Sequence, residues 1–268
     1  MNTDSRAGRC IFRPRAGFTI VELLTVIAII AILAAMLLVV LSRAGIRAQE
    51  TKAKLEANDI ARAIEKFDSD YGQFPVSSTV QTAAGTNDFT YGSVFQTPAP
   101  PSTLTVGTPV SGLILSNAEV IAILMDVTNY PNGQPVLANL NYQKNPQHTI
   151  FLSPKMSGYD PSVPGPPEGG VDVNGVYRDP WGNPYVISMD LNYDENCKDS
   201  FYCLNKVSGA SGTSANPGLN GLINPDNTAD NFQYHGKVMV WSAGPDGRID
   251  PMNNANTGAN KDNVVSWQ

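Results

Sequence analysis

Apolar and polar positions change their spacing twice along this chain. From Phe18 to Leu41 the sequence reads FTIVELLTVIAIIAILAAMLLVVL, and its single charge is Glu22. Leu23 to Leu41 holds no charge, proline or glycine, close to the ~20 residues a helix needs to cross a bilayer. After Leu41 the apolar residues thin to a stripe. Ala53, Ala57, Ile60, Ile64, Phe67 and Tyr71 recur at steps of three and four, with Glu50, Lys54, Arg62 and Lys66 off the stripe. That period predicts one amphipathic helix face, ending at Gly72 with Pro75 just beyond. Beyond it, turn-forming residues dominate. Residues 76–112 are rich in Thr, Ser, Gly and Pro and read as loop with little regular structure. A short helix is expected over Asn117–Asp126, with Ser116 as N-cap and Glu119 three residues on. Thr149–Leu152, Val186–Met189 and Lys237–Trp241 read as strands, and residues 190–236 as an insertion between the last two.

Composition narrows the class. Hydrophobic residues make up 42% of the chain, so a packed core is expected. The net charge is −6 with no basic patch, a poor match to a nucleic-acid partner. With two histidines and no G-x-S-x-G or H-E-x-x-H pattern, hydrolase and metalloprotease chemistry lacks its residues, and no enzyme is expected. Cys10 lies in the N-terminal stretch. Cys197 and Cys203 lie close together and, outside the cytoplasm, would close a small loop as a disulfide; the other reading is two unpaired buried thiols. Arg6, Arg9, Arg13 and Arg15 precede the apolar run; Arg43, Arg47, Lys52 and Lys54 follow it, so charge leaves its orientation open.

A carboxylate at the head of an apolar run is costly in a membrane, and it is a functional hypothesis by default. The segment Gly17-Phe18-Thr19-Ile20-Val21-Glu22, behind a basic leader and ahead of the apolar run, resembles the processing site of the type IV pilin and type II secretion pseudopilin superfamily. The resemblance implies cleavage between Gly17 and Phe18 by a prepilin peptidase, N-methylation of Phe18, and a cytoplasmic leader. It also implies a helical fibre in which Glu22 meets the new amine on Phe18 of a neighbouring copy. Such a pair offsets the desolvation of both charges and sets the register of the stack. Many members of that superfamily carry a proline midway along the run; Leu37 to Val40 has none.

Two further segments are more particular. Asp179-Pro180-Trp181-Gly182-Asn183-Pro184-Tyr185, followed later by Ser242-Ala243-Gly244-Pro245-Asp246-Gly247, resembles the major pseudopilin of type II secretion, as does the aromatic helix end before Phe74-Pro75. In that family the C-terminal loop binds calcium, which implies Asp246 and, less directly by spacing, Asp262 as ligands. Asp250 and Ser242 add oxygens of the kind calcium prefers. A polar turn without an ion is the competing reading. Asp190, Asn192 and Asp194 open like an EF-hand, but Glu195 stands where glycine belongs and Phe201 where the closing glutamate belongs, so a solvated acidic loop is expected.

The expected fold is α+β and pilin-like: a long N-terminal helix packed on a small antiparallel sheet with long loops. The expected parts are a leader (1–17), a membrane or fibre-core helix (18–41), an amphipathic half (42–74) and a periplasmic head (75–268). The chain would sit in the inner membrane as a single-pass protein and polymerise into a secretion pseudopilus. Its partners would be minor pilin-like subunits and an inner-membrane assembly platform. A type IV pilin for adhesion, motility or DNA uptake is the alternative within the class, and a single-span binding protein that never polymerises the alternative outside it.

Overall fold

The structure is a computed structural model that describes residues 17–92, 94–96, 102–104 and 115–268. The basic leader and Cys10 lie outside the described residues. The chain divides after Arg47 into an N-terminal unit and a head of Ala48–Gln268.

One helix, α1 (Ile20–Tyr71), carries both apolar patterns and runs unbroken through Gly45. In the head its stripe is buried as expected: Ala53, Ala57, Ile60, Ile64 and Phe67 are fully enclosed. The helix ends where Gly72 takes a left-handed φ of 65° and its amide donates to Asp68 O at 2.7 Å. That conformation is cheap for glycine and stops the helical ladder.

The head contains helices α2 (Ser78–Ala84), α3 (Ala118–Leu124) and α4 (Asn205–Ser208). Its strands are β1 (Phe89–Tyr91), β2 (Val94–Gln96), β3 (Ser102–Leu104), β4 (Gly170–Val171), β5 (Tyr177–Arg178), β6 (Val186–Met189), β7 (Asn196–Cys197), β8 (Tyr234–His235), β9 (Val238–Ser242), β10 (Arg248–Ile249) and β11 (Val264–Val265). The main sheet has the order β1-β6-β9-β11 and is antiparallel throughout. An α+β fold with a long helix and a small antiparallel sheet is thus what the residues make. A second sheet, β10-β2-β3, joins β10 to β2 in parallel.

Two cores lie on opposite faces of the main sheet. Side chains alternate across a strand. Ile187, Met189, Val238 and Val240 therefore join Ile60, Ile64 and Phe67 of α1. Val186, Met239 and Trp241 point the other way and pack on Phe201, Tyr202, Val207, Leu222 and Phe232, all from residues 190–236. Every residue of β6 and β9 is buried as a result. The insertion is the layer that covers the second face of the sheet.

Three expectations need correction. Residues 76–112 are not plain loop: α2 starts on Ser77, whose hydroxyl accepts from Val80 N, and β1 pairs with β6. The next helix is shorter than Asn117–Asp126, and Glu119 does not close a capping box with Ser116. Its Oε1 accepts instead from Ser77 N (2.8 Å) and Tyr91 Oη (2.9 Å), tying α3 to two other segments. Thr149–Leu152 forms no strand; Phe151 N and Leu152 N both donate to Leu124 O at the end of α3.

Candidate functional site

The N-terminal unit presents an apolar helix whose described large side chains are exposed. Large side chains from Phe18 to Leu37 are 46–83% exposed, and Ile20–Leu37 is long and apolar enough to cross a membrane. An exposed helix apolar all round is suited to contact with lipid or with another protein.

Glu22 sits in the first turn of this helix, held by Thr19. Thr19 N and Thr19 Oγ1 both donate to Glu22 Oε2 at 2.8 Å, and Glu22 N donates back to Thr19 Oγ1 at 3.2 Å. This is a reciprocal capping box, which satisfies amides that the helix start leaves open. The negative charge also lies at the positive end of the helix dipole. Both bonds into the carboxylate use Oε2, so Oε1 stands outside the cap. Thr19 is the residue the sequence reading passed over; its signal was the T-x-x-E spacing from Thr19 to Glu22. Gly17 and Phe18 precede the helix, exposed and outside regular structure, so the peptide between them is open to approach.

In the head, the two pseudopilin-like segments interlock. Asp179, fully buried, accepts from Trp181 N and Asn183 N at 2.9 Å each on Oδ1. Its Oδ2 takes the hydroxyl of Ser242 in a short hydrogen bond. Asn183 Nδ2 donates to Gly244 O at 2.8 Å. Burial pushes the Asp179 carboxyl above its usual range, and the hydrogen bonds from Ser242 and Asn183 oppose that shift. Gly247 has a φ of 62°, and a Cβ there would stand 2.5 Å from Asn183 Oδ1. The turn needs glycine for both reasons.

The four expected calcium ligands do not converge. Ser242 is spent on Asp179 and accepts from Gly244 N at 3.0 Å. Asp250 closes its own turn, accepting from Met252 N (2.9 Å) and Asn253 Nδ2 (2.7 Å), while its amide donates to Asn260 Oδ1. Asp246 and Asp262 do come together. Burial, then the charge of Asp246, raises the Asp262 carboxyl, and Asp262 Oδ1 is buried without a hydrogen-bond partner. Asp246 Oδ1 accepts from Arg248 N at 2.9 Å. Backbone amides and the charges of Lys261 and Arg248 oppose that rise, so the pair is partly compensated, and of the expected set only these two carboxylates are close enough to share calcium. Among the described residues no three His, Cys, Asp or Glu side chains meet as a ready metal cluster.

Cys197 and Cys203 are buried free thiols, which corrects the expected disulfide. Cys197 packs into the second core, whereas Cys203 Sγ donates to Ser200 O at 3.5 Å and Cys203 lines a cavity. Burial raises both thiols, Cys203 to about 12. Other buried acids serve the fold: Asp199 accepts from Ser188 Oγ (2.6 Å), Trp241 Nε1 (3.0 Å) and the amides of Phe201 and Tyr202. Asp172 pairs with Arg178 Nε at 2.8 Å. His148 and His235 are exposed and bond to Asp126 and Asn196.

Residues 12–38 match the family model of the prokaryotic N-terminal methylation motif. No curated protein and no solved structure matches the chain. The matched span contains Gly17, Phe18, the Thr19–Glu22 box and the exposed apolar helix, and that motif supports a prepilin-type reading within the type IV pilin-like superfamily.

Proposed function

We propose that this chain is the building block of a type II secretion pseudopilus. A prepilin peptidase cuts between Gly17 and Phe18 and methylates the new amine. The subunit waits in the inner membrane with its head in the periplasm. It then stacks through the first half of α1, joined by minor pilin-like subunits at an assembly platform. Residues 1–17 are the leader in this reading and residues 75–268 the head.

The observation that carries the reading is Glu22, the one acid on an uncovered apolar helix, capped through Oε2 with Oε1 left for a neighbour's Phe18 amine. The secretion assignment, rather than a type IV pilus, is supported by the interlock of Asp179 with Ser242 and of Asn183 with Gly244, since those segments carry the likeness to the major pseudopilin. Mass spectrometry of the membrane-purified protein should find Phe18 as the methylated first residue. Glu22→Ala should be cut normally yet yield no sheared fibres. A polypeptide still starting at Met1 in cells with active processing, or intact fibres from Glu22→Ala, refutes the assembly reading. A secretion defect without loss of surface pili in the deletion strain is expected, and the reverse overturns the choice of fibre.

Calcium would be held by Asp246 and Asp262 with backbone carbonyls, adding positive charge to that of Lys261 and Arg248 beside the pair. A ligand that binds only the folded state raises the melting temperature. Chelator should therefore lower the melting temperature of wild type by more than that of Asp262→Asn; equal shifts in both remove this site.

A further inference from the structure

The register of β1 against β6 sets two acids face to face. Phe89 pairs with Met189 and Thr90 with Ser188, so Asp88 and Asp190 are the next positions along the same ladder. By strand alternation both project to the face covered by the insertion, as Thr90 and Ser188 do. Like charges at opposed positions repel.

From Asp190 the chain curls around its own carboxylate. Asp190 Oδ1 accepts from Asp194 N (3.1 Å) and Oδ2 from Glu195 N (2.8 Å), while Tyr193 and Glu195 take φ of 60° and 65°. Glu195 thus adopts the left-handed conformation for which calcium loops use glycine, and its identity no longer counts against the D-x-N-x-D spacing. Phe201 cannot supply the closing carboxylate. Asp88 can, from a different segment.

Asp88 is the independent observation. Its side chain is 6% exposed; Oδ2 accepts from Lys198 N at 2.6 Å, and Oδ1 is buried with no partner. With Asn192, Asp194 and Asn196 it lines a cavity of about 260 Å³. The neighbouring ammonium groups are engaged: Lys198 Nζ with Asn231 Oδ1 at 2.9 Å and Lys237 Nζ with Asp68 Oδ2 at 2.7 Å.

We propose that Asp88, Asn192 and Asp194, organised around Asp190, form a calcium site that ties the insertion to the edge of the main sheet. Calcium takes amide and backbone oxygens as readily as carboxylates and tolerates an irregular shell, so it needs no ready-made trio of acids; magnesium demands a stricter octahedron. The site is separate from the C-terminal loop and independent of fibre assembly.

Isothermal titration of calcium into the calcium-free full-length protein in detergent tests it, together with terbium luminescence excited through Tyr193. Asp88→Asn and Asp194→Asn should each weaken one calcium site by tenfold or more (on the order expected for a lost charged ligand), and Asp246→Asn should leave that site unchanged. Tyr193→Phe should remove most of the terbium emission while keeping calcium binding. In chelator, Asp88→Asn should melt at or above wild type, because the repulsion is gone; in calcium the order should invert. Unchanged affinity and stoichiometry in both Asp88→Asn and Asp194→Asn overturns the proposal, as does a wild type that takes up no calcium at millimolar concentration. Calcium lost only in Asp246→Asn overturns it too, and leaves the C-terminal loop as the site.

Discussion

Asp179→Ala tests whether the interlock of the two pseudopilin-like segments holds the head together. The carboxylate is fully buried and receives the amides of Trp181 and Asn183, the side-chain amide of Asn183 (3.3 Å), and the Ser242 hydroxyl. Hydrogen bonds to a charged group contribute roughly 1.5–3 kcal/mol each, and a buried donor left bare costs about 1–3 kcal/mol. Two terms reduce the sum. Trp181 and Asn183 are only partly buried, so water can reach their amides, and removing the acid relieves the desolvation that raises its carboxyl. Ser242 has no such access. The net loss is about 3–4 kcal/mol, within the range of a broken buried network. For a domain of this size that is on the order of 10 °C in melting temperature. Asp179→Asn keeps the shape and one acceptor oxygen, so its loss should be about half as large. Emission from the buried Trp241 in the detergent-solubilised full chain follows the transition. Two variants melting within about 2 °C of wild type would mean that the segments meet without holding the head.

Other outcomes follow from single contacts. Cys197 and Cys203 should resist a thiol reagent in the native protein and both react once it is unfolded, without reductant, since burial keeps them protonated; an intact mass two hydrogens short would refute the free thiols. Tyr185→Phe deletes hydrogen bonds to Glu56 Oε2 (2.8 Å) and Ala53 O (3.3 Å) and should destabilise the head by about 1–2 kcal/mol, read by urea unfolding. Thr19→Ala removes half of the capping box and should raise hydrogen exchange at Glu22, with about 1 kcal/mol lost locally; Thr19→Ser should restore protection, and equal exchange in all three proteins would refute the box.

Elements that bury one face at a regular period could be read from the chain. The stripe from Ala53 to Phe67 gave α1 and its buried side, and the apolar runs of β6 and β9 gave two strands. Those runs hid a further fact. A strand buried on both faces loses its alternation, so Val186 to Met189 could not announce a second core. The second core is contributed by residues 190–236, whose Phe201, Tyr202, Leu222 and Phe232 are scattered among turn residues with no period to betray them. β1 is three residues long and flanked by turn-formers, below the length at which alternation is visible. Asp88 went unnoticed for the same reason: only the pairing register brings it to Asp190. Ser242 and Asp250 have the right chemistry for calcium, but their bonds to Asp179 and to the Asp250–Asn260 turn depend on tertiary geometry.

The two halves of α1 then differ in where their partners come from. Around Ala57 to Phe67 the helix has one apolar stripe, and the head fills it. From Ile20 to Leu37 it is apolar on every side but for Glu22, and its described large side chains are exposed. In lipid that surface is content, and van der Waals packing alone would let copies slide. In the proposed assembly, Glu22 would remove the freedom to slide. A bare carboxylate there would resist insertion, yet Thr19 supplies two donors at 2.8 Å from within the same turn, so the charge is partly satisfied before any neighbour arrives. Because the cap uses one oxygen, the proposed assembly leaves the other free to select a partner. In the proposed processing, the amine released at Phe18 would lie next to the capping threonine, so that processing and register would act on the same turn of helix. A glutamate placed farther along the run would lack that cap and stand apart from the cut; at position 22 it has both.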